Sequence, residues 1–135
     1  MTSSTAAKAD SIWGGRGNDL LWGANSNDRM FGGDGDDVLD GGAGTDRLAG
    51  GVGGDVFVFG GGDRVLDFSR EEGDQIHFAA ALGITEADLA ISTTAQGTVI
   101  SAASVAGTML LQGYLGGFDT GNDFKFDYVQ NFDFL

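Results

Sequence analysis

"GGRGNDLLW GANSNDRMF GGDGDDVLD GGAGTDRLA GGVGGDVFV", residues 14–58, is five nonapeptides in unbroken register. The sixth place is always aspartate (Asp19, Asp28, Asp37, Asp46, Asp55), and the eighth is always apolar (Leu21, Met30, Leu39, Leu48, Phe57). A looser copy, TAAKADSIW, precedes them at residues 5–13 and adds Asp10 and Ile12 in the same places. Self-similarity at a fixed short period marks a solenoid, whose units bury little alone and must stack.

Each unit divides in two by residue type. The first six places are rich in Gly, Asn and Asp, which suit turns with positive φ. The last three read as a very short strand, with the eighth side chain inward and the seventh and ninth outward. Two units per coil give strand, turn, strand, turn, so copies two apart stack. One inner face then holds Ile12, Met30 and Leu48, and the other Leu21, Leu39 and Phe57. The expected fold is all-β, a parallel β-roll over residues 9–78, with residues 79–135 forming a small antiparallel cap.

Stacking places like charges together in a chain with little basic charge to offset them. Of 135 residues, 20 are acidic and 7 basic, for a net charge of −13. That balance disfavours nucleic acid and anionic membrane as partners and favours cations. Adjacent strands lie roughly 4.8 Å apart, so aspartates 18 residues apart repel unless a cation sits between them. Calcium suits such a place because it takes six to eight carboxylate and carbonyl oxygens, whereas magnesium demands a tight octahedron and keeps its waters. The expected pairs are Asp10 with Asp28, Asp19 with Asp37, Asp28 with Asp46, and Asp37 with Asp55. Carbonyls of the turn glycines Gly15, Gly17, Gly33, Gly35, Gly42 and Gly44 complete the ligand set. About four or more ions are expected, and four shared ions would bring +8 against −13. With no cysteine, both disulfides and thiolate zinc sites are excluded.

The pattern glycine, glycine, x, glycine, x, aspartate, x, apolar, x resembles the RTX repeat, the calcium-binding parallel β-roll of proteins exported from Gram-negative bacteria by type I secretion. The resemblance is tight over residues 10–58. It continues more loosely to about residue 78, where DVFVFGGGDRVLDFSREEGDQIHF (55–78) is similar to the segment closing such rolls. There Asp63, Asp67 and Asp74 are further candidate ligands, at altered spacing. Two copies depart from the pattern, one with Ala24 and Ser26 in glycine places and one with Ala6, Ala7 and Lys8.

Beyond residue 78 the texture changes. Thr85 with Asp88 matches a capping box, and LAISTT, TVISAA and GTMLLQGYL read as strands separated by turn signals at Gln96-Gly97 and Ala106-Gly107. The tail GNDFKFDYVQNFDFL, residues 121–135, reads as an edge strand, DFKFDYV, and a frayed end. It also resembles the C-terminal export signal of type I substrates. The resemblance therefore implies an extracellular protein and a secretion apparatus as partner, although the N-terminus has no apolar run suited to a Sec signal and no stretch approaches a membrane span. It implies, too, a roll kept disordered by its own charge until calcium binds outside the cell.

Catalysis finds little support. His77 is the only histidine, at an alternating strand position, and neither G-x-S-x-G nor H-E-x-x-H occurs. GGDGDD lacks the lysine of a phosphate loop and would repel a phosphate. Trp13, Trp22 and Phe31 occupy the outward ninth place of three successive copies. They suit an end cover, a joint to a second protein chain, or a platform for polysaccharide in a module of a larger secreted enzyme, toxin or adhesin. An ice-binding surface would need a flat threonine row, which neither the third nor the fifth places supply. The expected function is that of an extracellular calcium-binding module without catalytic activity of its own.

Overall fold

The computed structural model describes residues 3–5, 11–103, 105–115 and 123–128. The strands form two sheets. The first runs β1 (Ser3–Thr5), β3 (Leu20–Trp22), β5 (Val38–Asp40), β7 (Val56–Val58), β9 (Gln75–Ala79) and β13 (Phe124–Tyr128). The second runs β2 (Ser11–Arg16), β4 (Arg29–Asp34), β6 (Arg47–Val52) and β8 (Arg64–Val65), then β12 (Val105–Gln112), β11 (Gly97–Ala102) and β10 (Leu89–Thr94). The chain alternates between the two sheets through the glycine-rich turns, so each pair of nonapeptides makes one coil.

The register is the one the period dictates. Ile12 lies opposite Met30, Met30 opposite Leu48 and Leu48 opposite Val65 in the second sheet. Leu21, Leu39, Phe57 and Ile76 line up in the first. All eight are buried, forming two facing apolar columns between the sheets. Full burial of such a side chain is worth about 1.5–3 kcal/mol, so the columns are the main apolar contribution of a thin core. The second-sheet strands are longer than the three residues expected. In β2, β4 and β6 pairing continues past the ninth place, with Gly15 opposite Gly33 and Gly33 opposite Gly51.

The C-terminal strands form the expected small antiparallel cap, and they do so by continuing the roll's second sheet. β12 pairs parallel with β8, with Leu110 opposite Arg64 and Leu111 opposite Val65, while β11 and β10 follow antiparallel. The reason lies in the short fourth coil. Its two-residue β8 would leave a backbone edge open, and that edge is satisfied when Leu110 N–H donates to Asp63 C=O at 3.0 Å and Gly62 N–H to Thr108 C=O at 2.7 Å. β12 accordingly begins at Val105, ahead of the turn expected at Ala106-Gly107. The tail strand is an edge as expected, β13 pairing parallel with β9. Phe59, Phe68, Phe78, Ile100, Met109, Leu111 and Phe124 close the core here.

The Thr85–Asp88 capping box is present on a single 3-10 turn, Glu86–Asp88. Arg70 on the Arg70–Glu72 turn forms an ion pair with Asp123 at 2.9 Å, tying the closing segment to the start of β13. No helix among the described residues is long and apolar enough to cross a membrane.

Candidate calcium sites between the coils

The repeated aspartates are buried, and each uses its two oxygens differently. Oδ1 accepts the backbone N–H of the aspartate one coil earlier. Asp19 N–H donates to Asp37 Oδ1 and Asp28 N–H to Asp46 Oδ1, both at 2.8 Å. Asp37 N–H donates to Asp55 Oδ1 and Asp46 N–H to Asp63 Oδ1, both at 2.9 Å. A second ladder runs beside it through the fifth place, where Asp36, Thr45 and Gly54 donate to Oδ1 of Asn18, Asn27 and Asp36 at 2.8–2.9 Å.

Oδ2 is the chemically informative atom. In Asp37, Asp46, Asp55 and Asp63 it is buried and accepts no hydrogen bond. A buried carboxylate oxygen left in this way costs free energy unless a cation or proton meets it. Burial pushes the Asp37 and Asp46 carboxyls up to about 6, and those of Asp55 and Asp63 up to about 8. The carboxylates of neighbouring coils add to the rise, Asp19 acting on Asp37, Asp28 on Asp46 and Asp37 on Asp55.

The surroundings of Oδ2 are made by glycine. At the first place of each repeat the Cβ of any other residue would overlap it: Gly32 faces Asp37 Oδ2 and the Gly50 carbonyl, and Gly23 faces Asp28 Oδ2 and the Gly41 carbonyl. Gly14 stands likewise against Asp19 Oδ2 and the Gly32 carbonyl, and Gly60 against Asp63 Oδ2. Carboxylate and carbonyl oxygens thus converge between successive turns. Among the described residues no three acidic or histidine side chains cluster around one point, so a metal here must draw on carbonyls. That donor set, all oxygen and part backbone, fits a hard cation of flexible coordination, which is calcium.

The anticipated glycines shape the same turns. Gly15, Gly17, Gly33, Gly35, Gly42 and Gly44 all have positive φ, and the carbonyls of Gly15 and Gly17 lie against the Cα atoms of Gly33 and Gly35 in the next coil. Ala24 and Ser26 hold the same conformation at φ 66° and 78° without being glycine. The first-place carbonyls of Gly32, Gly41 and Gly50 are absent from the sequence-based ligand set, yet each crowds the same first-place glycine of the preceding coil as an aspartate Oδ2 does. The signal was in view: the first place stays glycine in the copy GANSND, where the second and fourth do not.

The closing aspartates divide. Asp63 behaves as a repeat aspartate in a shortened unit. Asp67 spends both oxygens on the turn, accepting from Gly50 N–H at 2.9 Å and Gly51 N–H at 2.8 Å. Asp74 accepts from Asp55 N–H and Ser69 N–H, each at 2.8 Å. Asp10 lies outside the described residues.

Fold and site define a parallel β-roll whose coils enclose cation-seeking oxygens. A family model, the RTX calcium-binding nonapeptide repeat, matches residues 5–39, 22–57 and 31–66. The AlgE6R3 subunit of the mannuronan C5-epimerase from Azotobacter vinelandii, solved in solution, is similar at 30% identity and a TM-score of 0.63, over 85% of this chain and 77% of that one. No curated protein matches by sequence. The chain belongs to the RTX calcium-binding repeat family.

Proposed function

We propose that this is an extracellular RTX module that folds on binding calcium after type I export and has no catalytic role of its own. The observation that supports it is the set of buried Oδ2 atoms facing carbonyls of the next coil. Calcium, when bound, would supply two positive charges between turns that are otherwise mutually repulsive. The residues proposed to hold it are Asp10, Asp19, Asp28, Asp37, Asp46, Asp55 and Asp63, with turn carbonyls that include Gly32, Gly41 and Gly50. About four or more ions are proposed. Asp67 and Asp74 orient the closing turn through their backbone hydrogen bonds.

Without a cation the ionised aspartates oppose stacking, and the glycine-rich turns add chain entropy that favours disorder. Binding free energy then becomes folding free energy, which ties the folded state to calcium-rich surroundings outside the cell. Residues 9–78 form the roll and 79–135 its cap, with the export signal proposed in the tail. Of that tail, residues 121–122 and 129–135 lie outside the described residues.

The test is a calcium titration of chelator-treated full chain, followed by far-UV circular dichroism and tryptophan emission, with magnesium in parallel. A coil-to-β transition with calcium alone supports this reading; a metal-free chain already folded and unmoved by either ion refutes it. A second reading, a polysaccharide-binding accessory module of a larger secreted protein, is favoured by Trp13 and Phe31. Their rings stack at 4.3 Å and 16° on the outer surface, and Trp13 is 66% exposed. The similar AlgE6R3 subunit belongs to an enzyme named for mannuronan.

A further inference from the structure

Three of the chain's seven basic residues form one column. Arg29 lies opposite Arg47 and Arg47 opposite Arg64, on β4, β6 and β8, and all three are exposed. Strands at roughly 4.8 Å set these cations side by side, and like charges directly opposite each other are destabilising. The roll does not require them: the equivalent places on the first sheet are Leu20, Val38, Val56 and Gln75. Among the described residues neither Arg29 nor Arg47 forms an ion pair, although the chain has 20 acidic residues. Arg64 donates to Gln112 Oε1, at 3.5 Å, and among the described residues forms no ion pair.

The column has an aromatic neighbour. Phe31 follows Arg29 by two residues and so shares its outward face, about 6.6 Å further along the strand. Trp13 covers Phe31 from the adjacent strand, β2. One surface therefore combines a flat exposed ring with a row of unneutralised guanidiniums.

We propose that this face binds a linear acidic polysaccharide carrying a carboxylate on each sugar, laid along the roll axis across β2, β4, β6 and β8. The inference rests on the polysaccharide reading above and adds the charge of the ligand. A guanidinium donates two parallel hydrogen bonds to a carboxylate, and an indole face offers apolar surface to the C–H side of a pyranose ring. A row of arginines repeated once per coil suits a polymer with a repeated charge. Cations in the acidic turns beside this face would lower their repulsion of an anionic chain, which makes binding calcium-dependent.

The test uses the full chain saturated with calcium, titrated calorimetrically with a short galacturonate oligomer and with the neutral galactose oligomer of equal length. The galacturonate oligomer is expected to bind more tightly and to weaken with added salt. In the double variant Arg29→Gln/Arg47→Gln its affinity should fall about tenfold or more, while the neutral oligomer is unaffected. Both side chains are exposed, so the calcium-induced circular dichroism transition of that variant should match the parent's and show that the fold is intact. Trp13→Ala should weaken both oligomers. Equal affinity for the two oligomers would overturn the acidic ligand and leave the polysaccharide reading standing. Unchanged galacturonate affinity in the double variant would overturn the arginine column as the site. Binding of neither oligomer would overturn both readings, and self-association abolished by Trp13→Ala would assign the face to a second copy instead.

Discussion

Asp37 accepts the backbone N–H of Asp19 at 2.8 Å through Oδ1, while its Oδ2 is buried beside Gly32 without a hydrogen bond. One carboxylate thus has a hydrogen-bonded oxygen and a buried oxygen without a hydrogen bond, the one proposed to meet calcium, and the two can be separated experimentally.

Asp37→Asn can keep the Oδ1 acceptor while removing the charge. Calcium affinity should drop by about tenfold or more, since a charged ligand is lost, while the metal-free chain is no less ordered than the parent. Asp37→Ala removes both functions and should lower calcium-loaded stability further, by roughly 1–3 kcal/mol for the stranded Asp19 N–H. Calcium titrations followed by circular dichroism, with thermal melts of the loaded forms, check both; equal behaviour of the two variants would contradict the division.

Gly32→Ala and Ala24→Gly should act in opposite directions. The first inserts a methyl group where Asp37 Oδ2 and the Gly50 carbonyl sit, and should destabilise the loaded roll by about 1–3 kcal/mol. The second relieves a non-glycine residue held at φ 66° and should stabilise by about 0.5–1 kcal/mol. Melting temperatures in excess calcium decide this, and a stabilised Gly32→Ala protein would mean that the first place has no steric role.

The pH response should invert with calcium. Asp37 is raised to about 6, and Asp55 and Asp63 to about 8, from an ordinary value of 3.8, by burial first and by neighbouring carboxylates. A raised folded-state value favours the protonated form in the roll. That contribution is fully present below about pH 4 and is lost as pH rises through 6 and 8. Metal-free protein should therefore be more ordered at pH 4.5 than at pH 8. Calcium requires the ionised form, so calcium affinity should rise over the same interval. Circular dichroism and calcium titrations across pH 4–9 measure both; metal-free order that climbs with pH would show that burial does not govern these groups.

Leu48 lies between Met30 and Val65 in one core column and is fully buried, whereas Val52 on the same strand is 64% exposed. Leu48→Ala should cost about 2–5 kcal/mol in the calcium-loaded state, and Val52→Ala no more than about 0.5 kcal/mol. Chemical denaturation at fixed calcium separates them. Comparable losses would place the energetic core elsewhere than in the columns.

Period and strand alternation together made the roll and its two inner columns legible in the residues alone, because each nonapeptide meets the same neighbours as the one two copies before it. Where that periodicity stops, so does legibility. Asp63, Asp67 and Asp74 look alike as residues, yet only Asp63 keeps a buried Oδ2 without a hydrogen bond; Asp67 turns both oxygens to backbone N–H groups of the preceding coil, and Asp74 one to that coil and one to Ser69 in its own turn. The joining of β12 to β8 was equally out of sight, since it depends on a two-residue strand leaving an edge that a segment more than 40 residues later satisfies. The arginine column shows the same division. Arg29 and Arg47 stand in the seventh place of their copies, but Arg64 follows Arg47 by 17 residues rather than 18, and only the folded register restores it to the row. Local repetition determined which residues would stack; which oxygen, edge or charge was left to meet a ligand was decided in three dimensions, because that depends on what the rest of the chain brings against it.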